Sequence, residues 1–204
     1  MHKQDTGMTD LNDRLAIIEV VQAWAMSRDS GDWDRLRATL HPEATMAATW
    51  YQGPFDKFIE EAQASFAKGA RSMHVMGGSM VNLAGNRAIA LSRMMIMVRN
   101  ELDGVLVDVT ATGRFHDRFE KRNGEWRIAK RDCIYDKDRM DPVDPSASIK
   151  LDPARLAQFP DGYRHLAYLQ SSRGQTVNPA LPVSKGAALD AVLASGRAWL
   201  AGGG

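Results

Sequence analysis

Four extended stretches follow one another without an intervening helix, at residues 73–84, 87–99, 104–121 and 125–135. The breaks between them are Gly85-Asn86, the run ELDG from Glu101, and Asn123-Gly124. Breaks this short, rich in Gly and Asn, supply the positive φ that tight hairpin turns need. Strands so joined pair antiparallel with their sequence neighbours, so this part of the chain is expected to form a meander. In RFHDRFEKRNGEWRIAKR the alternation places Phe115 and Phe119 on one face and Trp126 with Ile128 on another.

A second pattern precedes the strands. Leu11, Leu15, Ile18, Val21 and Ala25 recur at spacings of three and four, the signature of an amphipathic helix over residues 10–28, with residues 1–9 as a flexible N-terminus. Ser30, Gly31 and Asp32 interrupt it, and Asp32 can cap a short helix through Trp33, Leu36 and Leu40 that stops near Pro42. ATMAATWY at 44–51 reads as a strand, and Pro54 opens a third helix that Gly69 ends. The expected class is α+β: a strongly curved, cone-shaped antiparallel sheet covered by three N-terminal helices, with a cavity at one end. From Asp136 the composition turns rich in Pro, Asp and Ser, which suggests a surface linker ahead of helices at 153–158, 161–170 and 186–200. The principal domain is therefore assigned to 10–135. Residues 136–204 become an extension too apolar to be disordered, packing on that domain or on a neighbouring subunit.

Charge and cysteine content narrow the function. Lys plus Arg number 26 against 25 Asp plus Glu, without a long basic block, which argues against nucleic acid as the main partner. Cys133 stands alone, so no intramolecular disulfide and no cysteine-built metal site is expected, and a reducing cytoplasm fits. No apolar run approaches the ~20 residues that span a bilayer, so membrane insertion is not expected. No cofactor or metal is called for.

Two residues stand out chemically. Asp29 lies four residues after Ala25 and eight after Val21, at the C-terminal end of the first helix on its inward face. A carboxylate there opposes the helix macrodipole and, if buried, needs a donor or cation to meet it. The alternative is a solvated turn residue in SRDSGD. His74 opens the first strand of the meander, where a histidine is more often structural. If the two meet, the carboxylate fixes one imidazole nitrogen and leaves the other as a base. Trp50, Tyr51, Met76, Met80, Met94 and Met97 are candidates to line the cavity, with core filling as the bland reading. Arg93, Asp108, His116 and Lys130 face either solvent or the cone, and a one-residue slip in register inverts that choice. Arg131, Asp132 and Tyr135 read as packing or rim residues.

The segments LNDRLAIIEVVQAWAMSRDSGDWDRLRATLHPEA, SMHVMGG and GRFHDRFEKRNGEWRIAKR, in this order, resemble the SnoaL-like branch of the nuclear transport factor 2-like superfamily over residues 10–135. The resemblance implies a cone with a hydrophobic pocket. Its enzymes include scytalone dehydratase, bile-acid dehydratase, hexachlorocyclohexane dehydrochlorinase, polyketide cyclases, ketosteroid isomerase and lyases that release formaldehyde from lignin-derived diaryl compounds, most without a cofactor. It also implies that Asp29 and His74 are the dyad. Trp24 stands where the bile-acid dehydratase type carries a tyrosine, so a phenolic acid is missing there, and Arg93 is offered on a strand where that type has an aspartate.

These readings lead to a cofactor-independent lyase acting on a hydrophobic aromatic or polycyclic small molecule, with His74 and Asp29 catalytic and Trp24, Trp50, Tyr51, Met76 and Arg93 contacting substrate. Loss of water, halide or an aldehyde fragment is open. So are an isomerase or cyclase using the same pair, and a non-catalytic ligand-binding or assembly module. A homodimer or homotrimer is expected, with the YRHLAYLQ segment of the tail bringing Tyr163 or His165 to the cone's mouth.

Overall fold

The computed structural model describes residues 3–203, in the order α1 (Lys3–Ser30), α2 (Trp33–Ala38), β1 (Leu40–Ala48), β2 (Tyr51–Pro54), α3 (Phe55–Ala67), β3 (Ser72–Ala84), β4 (Arg87–Leu102), β5 (Val105–Arg122), β6 (Glu125–Pro142), α4 (Pro153–Leu156), α5 (Arg164–Ser172) and α6 (Ala187–Leu200). The six strands form one sheet in the order β2-β1-β6-β5-β4-β3. The meander is antiparallel throughout, and β1 joins it parallel to β6. This is the α+β cone expected from the sequence.

Its curvature has a local cause. The long strands are interrupted by irregularities between Met76 and Ser79, between Thr112 and Gly113, and between Arg118 and Phe119. Each adds bend and twist, so an otherwise flat ribbon wraps around its own concave face. At Gly113 the strands approach so closely that a Cβ would lie 2.0 Å from the Ile134 carbonyl oxygen. Only glycine fits there.

The concave face holds the core. Val107, Val109, Ala111, Phe115 and Phe119 of β5 point inward at alternate positions and meet Ile17, Val21 and Trp24 of α1 and Phe55, Phe58 and Ile59 of α3. Inside this core Asp117 and Arg131, both fully buried, form a two-pronged ion pair at 2.7 Å on each arm. The Arg131 guanidinium packs against the rings of both Trp24 and Phe115, 4.0 and 3.9 Å from their centres.

Several boundaries differ from the sequence reading. α1 already runs from Lys3, within the stretch expected to be flexible; residues 1 and 2 of that stretch lie outside the described ones. Leu11 and Leu15 are exposed, because the buried stripe of α1 is set by Ile17, Val21, Trp24 and Ala25. α2 stops at Ala38, and Leu40 to Pro42 belong to β1, since Leu40 pairs with Ile128 of β6. The strand expected at 44–51 is two strands, β1 and β2, folded against each other around Thr49 and Trp50. β6 does not end at Tyr135 but continues to Pro142, because Val107 to Thr112 of β5 offer it a partner, with Lys137 and Arg139 pointing into solvent.

Beyond β6 the chain returns to the cone. Asp138, fully buried, accepts hydrogen bonds from the backbone N–H groups of His165 and Leu166, which orients the start of α5. Tyr163, Leu166, Ala167 and Leu169 are buried in the same core as the sheet, while α6 lies across the outer face of β4 and β5 with Gly196 directly against the His116 ring. No described helix is long and apolar enough to cross a membrane.

Candidate active site

The last turn of α1 and the first residues of β3 lie side by side, and this brings together Asp29 and His74, 45 residues apart in sequence. One carboxylate oxygen of Asp29 accepts the His74 backbone N–H at 2.5 Å; the other lies 2.6 Å from His74 Nδ1 and accepts the Ser72 hydroxyl at 3.3 Å. These donors answer the problem the position poses: a carboxylate at a helix C-terminus is opposed by the macrodipole, and this one is compensated by three hydrogen bonds. With Nδ1 donating to the carboxylate, the lone pair falls on Nε2. The edge-on ring of Trp24, 5.4 Å from the imidazole centre at 83°, fixes the imidazole plane from the other side.

His74 lines a cavity of about 360 Å³ between the concave sheet face, α1, α3 and α5, within the ~300–1,000 Å³ range of small-molecule sites. Trp24, Trp50, Phe58, Phe115 and Tyr135 give it aromatic walls, and Met46, Ile96 and Leu166 add aliphatic ones. The buried indole N–H of Trp24 has no hydrogen-bond partner among the described residues, so it remains available to an acceptor. Tyr135 is fully buried with its hydroxyl beside Thr49 and Cys133; burial pushes its pKa well above the usual phenol value, so it stays a proton-bearing donor. Burial likewise pushes the Cys133 thiol up to about 12, which leaves it neutral and a poor nucleophile. Among the described residues no group of three or more His, Cys, Asp or Glu is arranged to hold a metal ion.

The expected substrate contacts divide. Trp24 and Trp50 line the cavity, whereas Tyr51, Met76 and Arg93 do not. Tyr51 turns its hydroxyl to the Pro54 carbonyl at 2.6 Å, and Met76 packs on the core. Arg93 is exposed because Met94, Ile96 and Val98 take the inward phase of β4. Met80 is also exposed: the irregularity after Met76 reverses the phase of β3 and puts Val81 inside instead. Asp108 pairs with Arg99 on the surface, and His116 is buried on the outer face. The tail reaches the cavity through Leu166, Leu169, Gln170 and Arg173, but neither Tyr163 nor His165 lines it. His165 is held by Asp138 outside it. Tyr135, read from sequence as packing or rim, forms part of the cavity wall; the alternation of GEWRIAKRDCIY carried that information, but only once the register across the bulge at Arg118 is known.

The chain matches the family model for the SnoaL-like domain over residues 9–132, and it belongs to that family, with the nuclear transport factor 2-like fold. Pea pathogenicity protein 2 of Fusarium vanettenii is 36% identical over 163 residues, covering 78% of this chain and 70% of that one. Scytalone dehydratase of Pyricularia oryzae is 25% identical over 132 residues, covering 58% and 77%. Among solved structures a type 2 hexachlorocyclohexane dehydrochlorinase superposes with a TM-score of 0.55 at 14% identity, covering 72% of this chain and 98% of that one, a likeness of fold. The relatives thus include a protein named as a dehydratase, while the name of the pathogenicity protein states no reaction.

Proposed function

We propose that the protein is a cofactor-independent lyase for a hydrophobic aromatic small molecule, with His74 as general base and Asp29 as its orienting partner. The observation that carries this reading is a base nitrogen, held by a carboxylate through the opposite ring atom, on the wall of an aromatic cavity. Neutral His74 Nε2 removes a proton from an activated carbon or a phenolic hydroxyl. The freed electron pair forms the new π bond as the leaving group departs, and Asp29 stabilises the imidazolium until its proton returns to the leaving oxygen. Tyr135 donates a hydrogen bond to that oxygen and takes the role that Trp24, lacking a phenol, cannot fill. Loss of water is favoured by the sequence similarity to scytalone dehydratase; in formaldehyde loss from a lignin-derived diaryl compound the same dyad takes the proton of the hydroxymethyl O–H, the electron pair of the broken C–C bond passes to the carbon and conjugated ring left behind, neutral formaldehyde departs, and the proton returns to that carbon.

A general base of this kind contributes typically 10²–10⁴-fold, and positioning in a dry cavity supplies much of the rest. Mass-resolved product assays on hydroxylated aromatic ketones and diaryl alcohols test the reading. Elimination changes the mass and isomerisation does not, and His74→Asn should abolish turnover while the protein stays folded. Undiminished turnover in His74→Asn sinks the mechanism.

Self-association belongs to the same proposal. The edge strand β3 exposes Met73, Val75 and Met80, and α1 exposes Leu11, Leu15 and Met26. Apolar groups so placed suit a homodimer or homotrimer in the cytoplasm.

A further inference from the structure

The mouth of the cavity differs from its interior in charge. Arg28, Lys68, Arg71 and Arg173 all line it, and no Asp or Glu does. In a chain with a formal charge of only +1 this is a concentrated positive rim. Three of the four sit where helices end: Arg28 in the last turn of α1, Lys68 and Arg173 as the C-terminal caps of α3 and α5. Complementing helix dipoles accounts for basic residues at such ends. It does not account for their number here, because a helix C-terminus carries only about −0.5 elementary charge. Four unit cations outweigh three helix ends and the Asp29 carboxylate together, and the mouth keeps a positive surplus.

Nor are these cations used elsewhere. Among the described residues none of the four forms an ion pair with a carboxylate within 4.0 Å, whereas Arg99, Arg114, Lys121, Arg131 and Arg139 all do. Arg28 is half-buried with its guanidinium 5.8 Å from the ring centres of both Trp33 and Phe58, and burial lowers its pKa. A partly desolvated guanidinium with aromatic neighbours is a strong site for a planar anion. Arg71 donates to the Phe66 and Ala70 carbonyls at 2.8 Å and lies over the Phe66 ring, which holds it at the rim; Arg173 is braced by the Asn100 side chain.

We infer that the molecule accepted by this cavity is an aromatic organic anion, its ring seated among Trp24, Trp50, Phe58 and Phe115 and its anionic group, such as a carboxylate, held at the mouth by Arg28 with Lys68, Arg71 and Arg173. The inference deepens the proposed function by naming the substrate class, and it rests on reading this cavity as the substrate site. The charge surplus draws the anion in and sets its direction, so the end of the molecule remote from the carboxylate faces His74.

The test compares 2-naphthoate with its uncharged analogue 2-naphthalenemethanol, titrated against the full chain and followed by quenching of tryptophan fluorescence and by calorimetry. The naphthoate should bind at least tenfold more tightly at low salt, and the advantage should shrink as sodium chloride is raised. Arg28→Gln should remove most of it, and the exposed substitutions Lys68→Gln and Arg71→Gln, which cannot be dismissed as folding failures, should each reduce it severalfold. Equal affinity for the two probes, or an advantage untouched by all three substitutions, overturns the inference. The parent chain separates the two proposals: anion-selective naphthoate binding without turnover of any substrate would retain the anion site and reject the lyase, whereas turnover with no preference for the anionic probe would retain the lyase and reject the anion site.

Discussion

The carboxylate of Asp29 grips His74 at two points, the backbone N–H at 2.5 Å and Nδ1 at 2.6 Å, so one side chain sets both the position of the strand and the orientation of the imidazole. Two-point attachment makes the direction of Nε2 a property of the fold. It also makes the two roles separable by substitution.

Asp29→Asn keeps the size of the side chain but can accept at only one oxygen. Its amide either donates to Nδ1, which moves the proton to Nε2 and removes the base, or loses the backbone contact. Turnover should fall by about 10²–10⁴-fold with the circular dichroism spectrum unchanged. Activity within threefold of the parent chain would show that the tautomer of His74 does not matter.

Tyr135→Phe removes a buried hydroxyl beside Thr49 and Cys133 and leaves the ring in the cavity wall. Stability should drop by about 0.5–1.5 kcal/mol for the lost polar contact. Turnover should fall by more than tenfold if the phenol serves the leaving group, with KM little altered. A change in KM alone would make Tyr135 a binding residue.

How far the sequence disclosed this site depends on the kind of pattern involved. Asp29 could be placed because helical phase is rigid: eight residues after Val21 the chain returns to the same face. His74 could be paired with it only through the family resemblance, since no local rule says which strand lies beside which helix end. Met80 was misplaced for a different reason. Alternation assigns a face only relative to a known register, and a single irregularity after Met76 reverses it. The extension of β6 through Lys137 and Asp138 was hidden because its residues look like linker, and the strand exists by virtue of its partner on β5. The rim cations were invisible as a group: four residues from three separate segments acquire meaning only when the ends of α1, α3 and α5 converge.

The buried pair of Asp117 and Arg131 supports the floor of the cavity, with the guanidinium packed against Trp24 and Phe115. Asp117→Ala leaves a guanidinium uncompensated in the core and should cost about 3–5 kcal/mol, read from urea denaturation. A loss below 1 kcal/mol would mean that water reaches Arg131.

Acid should weaken the fold through His116 on the opposite face. Burial lowers its pKa from 6.5, an effect opposed by the charges of Asp132 and Asp117 and reinforced by Arg118. Gly196 of α6 covers the ring so closely that a Cβ there would lie 2.5 Å from Cε1. The unfolded chain therefore binds a proton near pH 6.5 that the folded chain refuses, and stability decreases as pH falls from that value toward the lower folded pKa. Above pH 7 the residue is neutral in both states and contributes no slope. His116→Gln removes the titration, so the difference in unfolding free energy between pH 7.5 and pH 5.5 should be smaller in this variant than in the parent. An unchanged difference would assign the acid sensitivity to other groups, and a larger one would mean that His116 is protonated in the folded protein, held by Asp132 beneath α6.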